Sequence, residues 1–247
     1  MTREVQAVIL VLVGSAIIRI TIDDTFLNYV KEGMRPWLLL TGGALIAMGV
    51  LAIVDVFRGE RGKKNDDEHE HEHEHEHGDD HAHHGPRSAW LLLLPVLAIF
   101  LVAPPALGAF AAARDLTNSS PSAAVAPPLP PGDPVEVYVS DYVNRAVWDF
   151  GKTLAGRTVA ITGFVVPNPE GGWWLTRMSL ACCAADAFAG KIQVVDPPEG
   201  WEEPPADTWT VVTGEWVPGG GTNSDTAIPL LDAELIEQIE QPVNPYD

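Results

Sequence analysis

Histidine is missing from most of this chain. The 247 residues hold eight histidines, and all eight fall between positions 69 and 84. The C-terminal half therefore has no imidazole with which to build a Ser-His-Asp set or complete a zinc site. Cysteine is scarcer, with two residues, Cys182 and Cys183, side by side. The Cys-x-x-Cys spacing that lowers a thiol pKa in redox enzymes is absent. Positive charge is also thin: from Asp115 onward, 19 acidic residues face five basic ones. Such a surface repels nucleic acid. Gly219-Gly220-Gly221 is followed by neither Lys nor a helical pattern, so it reads as a hairpin turn rather than a phosphate cradle. These absences argue against an enzyme and against a nucleic-acid partner. They leave no catalytic residue to assign and no organic cofactor to expect.

The clearest chemistry lies in residues 66–84, DDEHEHEHEHEHGDDHAHH. His69, His71, His73, His75, His77, His81, His83 and His84 offer imidazole nitrogens, a common transition-metal ligand. Glu68, Glu70, Glu72, Glu74 and Glu76 alternate with them and add hard oxygen ligands. Zn²⁺, Ni²⁺ and Cu²⁺ all suit such a mixed set. The competing reading is a solvated low-complexity linker that binds metal incidentally. The tract has no apolar periodicity, so no single rigid site is expected.

Three apolar runs flank the tract. Residues 5–22 (VQAVILVLVGSAIIRITI) and 37–57 (WLLLTGGALIAMGVLAIVDVF) precede it, and 89–112 (AWLLLLPVLAIFLVAPPALGAFAA) follow it. Crossing a bilayer takes about 20 apolar residues. The first run is marginal because of Arg19, for which Asp23, one helical turn on, is a partner. A cleaved signal peptide is the rival reading for that run. Apolar residues continuing past Ala16, with no small-x-small site, count against it. Gly43 and Ala47 form a small-xxx-small pair suited to close helix packing. Pro104-Pro105 marks either a packing notch or the outer end of the third run.

Basic residues cluster around the tract (Arg58, Arg61, Lys63, Lys64, Arg87), which places the N-terminus and the His tract in the cytoplasm and the chain from Arg114 onward outside. The expected architecture is a multi-pass plasma-membrane protein with three α-helical transmembrane spans and a C-terminal, mostly-β extracytoplasmic domain. Residues 1–57 form a two-span hairpin, 58–88 a cytoplasmic His/Glu-rich loop, 89–113 the third span, 114–134 a Pro/Ala-rich linker and 135–247 the outer domain. The linker's proline pairs favour extended polyproline II, a spacer between membrane and domain.

Within the outer domain, Ser140 is placed to cap a helix from Tyr142 to about Thr153, ended by Gly156. Strands follow at 158–166, 173–180, 191–195, 208–217 and within 227–239. Five short strands separated by turn signals suggest a small, OB-like barrel. The segment RMSLACCAADA (177–187) carries the second chemical signal. Cys182 and Cys183 with Asp186 are candidates for a metal site, for a dithiol–disulfide couple, or for simple packing. If the strand runs through them, their side chains point to opposite faces, which opposes joint chelation unless the backbone turns. Asp186 is also suited to capping that turn.

Five blocks, NYVKEGMRPWLLLTGGAL, LVAPPALG, GRTVAITGFV, RMSLACCAADA and IEQPVNPYD, resemble the YcgQ-like bacterial proteins, described as the small subunit of a two-subunit membrane permease complex. The resemblance implies a larger polytopic permease as partner and, by analogy, a zinc connection. It implies no catalytic residues, and the His tract is an embellishment of the shared pattern. The leading expectation is thus a non-enzymatic accessory subunit of a membrane permease, with lipid, a polytopic permease and a divalent metal as partners. A stand-alone membrane metal sensor or chaperone is the alternative, and a thiol-redox protein using the Cys pair a more distant one.

Overall fold

The computed structural model describes residues 3–63, 105–118 and 126–247. It divides into two compact units: Met1–Phe26 with Gly33–Pro105, and Leu27–Glu32 with Ala106–Asp247.

The first unit is a helical hairpin. Helix α1 spans Arg3–Ile22 and α2 spans Arg35–Lys63. Two stretches are long and apolar enough to cross a membrane: Val5–Ile22 in α1, and Glu32–Asp55, which starts in the 3-10 turn before α2 and runs on through it. Leu12, Leu40 and Leu51 stand exposed on their outer sides. The helices touch through small residues. A Cβ on Gly14 would lie 2.7 Å from the Gly42 carbonyl oxygen, and one on Gly49 would lie 2.9 Å from that of Ala7. Gly43 and Ala47 are exposed, and a Cβ on Gly43 would meet nothing. The packing stripe is therefore Gly42 and Gly49, two turns apart, rather than the four-residue pair. Seven residues return a helix to nearly the same face, and four carry it about 40° past. Helix α2 also continues past Phe57 to Lys63, so the segment after the second span begins as helix. Arg19 pairs with Asp23 at 3.4 Å, as its spacing suggests.

The second unit is built on a five-stranded mixed barrel. Strand β1 (Val135–Glu136) leads into helix α4 (Val139–Trp148). Strands β2 (Thr158–Pro167), β3 (Trp173–Ser179), β4 (Phe188–Val195), β5 (Trp209–Val217) and β6 (Leu230–Gln238) follow. The sheet order is β1-β2-β3-β4-β6-β5, and β2 also pairs with β5, which closes the barrel. β4 and β6 run parallel; the other pairings within the barrel are antiparallel. Val159, Ile161, Leu175, Ile192, Val212 and Leu231 fill its interior. At Gly214 the β5–β6 register shifts, and an added Cβ would sit 1.9 Å from the Asp232 carbonyl oxygen. Only glycine allows the strands to meet at that bulge.

Helix α4 lays Tyr142, Val143, Ala146 and Val147 against the same core. It starts at Val139, not Tyr142, and Ser140 does not cap it through its side chain. Instead the Ser140 N–H donates to Asp247 Oδ2 at 2.9 Å, so a carboxylate from the far end of the sequence satisfies the helix start. The helix stops at Trp148 because Phe150 and Gly151 adopt positive φ.

Most of the expected third run, residues 89–104, lies outside the described residues. Its end does not continue as a span. Ala109–Ala112 (α3) packs on the outer face of the barrel with Phe164, Met178, Trp209 and Tyr246. The expected linker is not a free spacer either. Asn118 bonds to Lys191 and Ala227, Arg145 donates to the Pro127 carbonyl, and Leu129 is buried in the core. Among the described residues, 126–130 form neither helix nor strand and are held at Pro127 and Leu129.

Candidate functional site

Strand β3 ends at Ser179 and the chain turns at once, reaching a short 3-10 helix at Ala184–Asp186. The turn removes the objection that neighbouring cysteines must face apart. Cys182 Sγ and Cys183 Sγ lie 3.6 Å from one another, and both thiols are free. With a carboxylate oxygen of Asp186, these atoms all lie within 4.8 Å of one another. Among the described residues, this is where the structure gathers metal-ligating side chains. The eight histidines of the tract lie outside the described residues.

Asp186 organises the loop. Its carboxylate accepts the backbone N–H groups of Ala181 and Cys182, each at 2.9 Å, and that of Cys183 at 3.3 Å. The Cys183 side chain in turn accepts the Asp186 N–H, completing a reciprocal cap. So the expected turn-capping role of Asp186 and its place beside the sulfurs are both realised. Hydrogen bonding to Asp186 and to Cys183 pushes the Cys182 thiol up to about 12. The Cys182 hydrogen bond, with the backbone donors, holds Asp186 below the usual carboxylate range. Cys182 is exposed and Cys183 half-buried, so a solute can reach both.

A second segment holds the loop from outside. Lys31 N–H donates to the Cys182 carbonyl at 3.1 Å, and Ala184 N–H donates to the Tyr29 carbonyl at 2.7 Å. Val30 and Cys183 form an antiparallel bridge between them. These partners come from Leu27–Glu32, the connector between α1 and α2, which belongs to the barrel unit. Nearby, the Tyr246 hydroxyl accepts the Leu107 N–H at 3.0 Å and donates to the Asn28 carbonyl at 2.8 Å. Residue spacing carries no sign of this connector. Its one signal was that NYVKEGMRPW, CCAADA, LVAPPALG and NPYD all belong to the shared blocks.

Behind the loop, β3 carries Arg177, whose Nε lies 3.0 Å from Asp247 Oδ1, both side chains buried. Burial pushes the Asp247 carboxyl above its ordinary range, although the Ser140 N–H and Arg177 pull it down. Arg177 also donates to the Asn244 carbonyl at 2.9 Å. The C-terminal residues are thus bound to the same strand that leads into the cysteines.

The structure defines a protein with two N-terminal helices apolar enough to cross a membrane and a C-terminal mixed barrel carrying an exposed Cys-Cys-Asp cluster. Residues 5–116 match the DUF1980 N-terminal domain and residues 135–246 match the DUF1980 C-terminal domain, so the chain belongs to the DUF1980 family. That domain pair is consistent with the YcgQ-like resemblance. No curated protein and no solved structure matches the chain.

Proposed function

We propose that this protein is a non-enzymatic accessory subunit of a membrane permease, engaged in handling a divalent metal such as Zn²⁺. The observation that supports it is the membership of the barrel unit. The connector Leu27–Glu32 and the end of the third apolar run, from Ala106 on, both belong to it, and one phenol, that of Tyr246, bonds to each. The barrel unit thus takes in the stretch of chain that lies between the two apolar helices in the sequence. In this reading the third apolar run supplies the third span, the barrel lies outside, and the His tract collects ions in the cytoplasm through many weak sites. The barrel is read as OB-like, from its closed five-strand order and its parallel β4–β6 pair. Such a barrel serves as a docking module as readily as a ligand site.

The test is a pull-down of the tagged full chain from native membranes in mild detergent, with mass spectrometry of what comes along. A polytopic permease at near-equal amount is the expected result. Recovery of the protein alone, still holding metal, overturns the subunit role and leaves a stand-alone metal-binding protein.

A further inference from the structure

We propose that Cys182, Cys183 and Asp186 form a three-ligand site for a single thiophilic divalent cation, of the zinc or cadmium type, with a fourth coordination position open to solvent.

Geometry carries the assignment. Two thiolates on one tetrahedral zinc, each about 2.3 Å from the metal, stand about 3.8 Å apart. The sulfurs here are 3.6 Å apart. A disulfide would instead need them at about 2.05 Å. The loop resists that closure, because the backbone of residues 182–184 is held on one side by Lys31, Val30 and Tyr29 and on the other by the Asp186 carboxylate. The spacing therefore suits a bridging metal better than a bond between the sulfurs.

The donor set names the class of cation. Two soft sulfurs select zinc, cadmium and related ions over magnesium or calcium, and one carboxylate is compatible with them. No histidine lies in this domain to add a fourth ligand. Zinc sites that serve only as structural staples are closed by four protein ligands, whereas a site with three keeps a position free for a further ligand. The exposure of Cys182 leaves that position accessible. Such a site can accept a cation from one carrier and pass it to another by ligand exchange. The inference deepens the metal side of the proposed function. Its test uses purified protein, so a missing permease would overturn the subunit reading without touching this one.

The test must separate this site from the His tract. The full chain is purified in detergent with all eight histidines replaced by Ala, and Cd²⁺ is titrated while thiolate-to-metal charge-transfer absorption is followed. One equivalent of Cd²⁺ with a clear charge-transfer band is expected. Cys182→Ser and Cys183→Ser should each abolish the band, and Asp186→Asn should weaken binding about 10- to 100-fold. In the unmodified chain, Cd²⁺ should also protect both thiols from alkylation, a readout that needs no substitution. Absence of the band, its survival in Cys182→Ser, or alkylation at an unchanged rate with metal present would each overturn the site. Binding at half an equivalent would also overturn it, because the metal would then bridge two molecules.

Discussion

The hydroxyl of Tyr246 donates to the carbonyl oxygen of Asn28 across 2.8 Å, joining positions 218 residues apart. The Tyr246 hydroxyl oxygen in turn accepts the Leu107 N–H, so one buried phenol holds the connector of the two apolar helices and the segment leading onto the barrel. Tyr246→Phe keeps the ring and removes both bonds. We expect a loss of about 1–3 kcal/mol, since a donor and an acceptor lose their partner. Hydrogen exchange at Leu107 should accelerate, and protease should cut the connector sooner. Unchanged exchange would show that the hydroxyl holds neither segment.

The hairpin gives a paired prediction. Gly42→Val drives a branched side chain toward Ile18 and the Gly14 carbonyl, whereas Gly43→Val points into open space. Only the first should lower the thermal midpoint of helix loss, read by circular dichroism on detergent-solubilised protein. The expected cost is about 1–3 kcal/mol, the usual range for overpacking a close contact. Equal effects at both positions would contradict the packing stripe.

Asp115 links the barrel to pH. Burial pushes its carboxyl up, but the Ala189 N–H and the hydrogen bonds from Thr117 outweigh this and hold it below the ordinary range. A depressed carboxylate stabilises the fold above its unfolded pKa of about 3.9. That contribution is lost as pH falls through the lower folded value. The Ala189 amide should therefore stay protected at neutral pH and open in acid. Asp115→Asn should cost about 1 kcal/mol at neutral pH and flatten the acid-side dependence. Hydrogen exchange against pH reads both.

Arg177 and Asp247 titrate with the opposite sign. The Asp247 carboxyl is raised by burial, so its contribution is fullest below the unfolded pKa and is lost as pH rises through the folded value. Arg177→Met removes the countercharge and leaves a buried carboxylate. At neutral pH we expect a loss of about 3–5 kcal/mol. In mild acid, where Asp247 takes up a proton, the loss should shrink. Urea midpoints at both pH values give the comparison, and a deficit independent of pH would mean that the ion pair is not what was removed.

Much of the barrel was legible in advance because its strands are short β-branched runs between turn residues. The segment 158–166 was placed within one residue of β2. The start of α4 was misplaced because its N–H partner is Asp247, about a hundred positions away, and no local pattern encodes that bond. The packing glycines were misplaced by one face because a lone run shows which residues are small but not where its neighbour lies. The Cys pair was legible as a signal and opaque as a site. Whether adjacent cysteines converge depends on a turn after Ser179 that is held by Tyr29, Val30 and Lys31.

That dependence sets an order of events during synthesis. The ribosome makes Asn28 some 218 residues before Tyr246. At about 5–20 residues per second, that separation lasts roughly 10–40 s. For most of that interval both apolar helices have already been made, but their connector still lacks Tyr246. The Cys loop, made later, is braced only once it folds back onto Tyr29, Val30 and Lys31. The convergence of the two cysteines is thus a late event in folding, and a chain lacking residues 27–32 would present them unbraced.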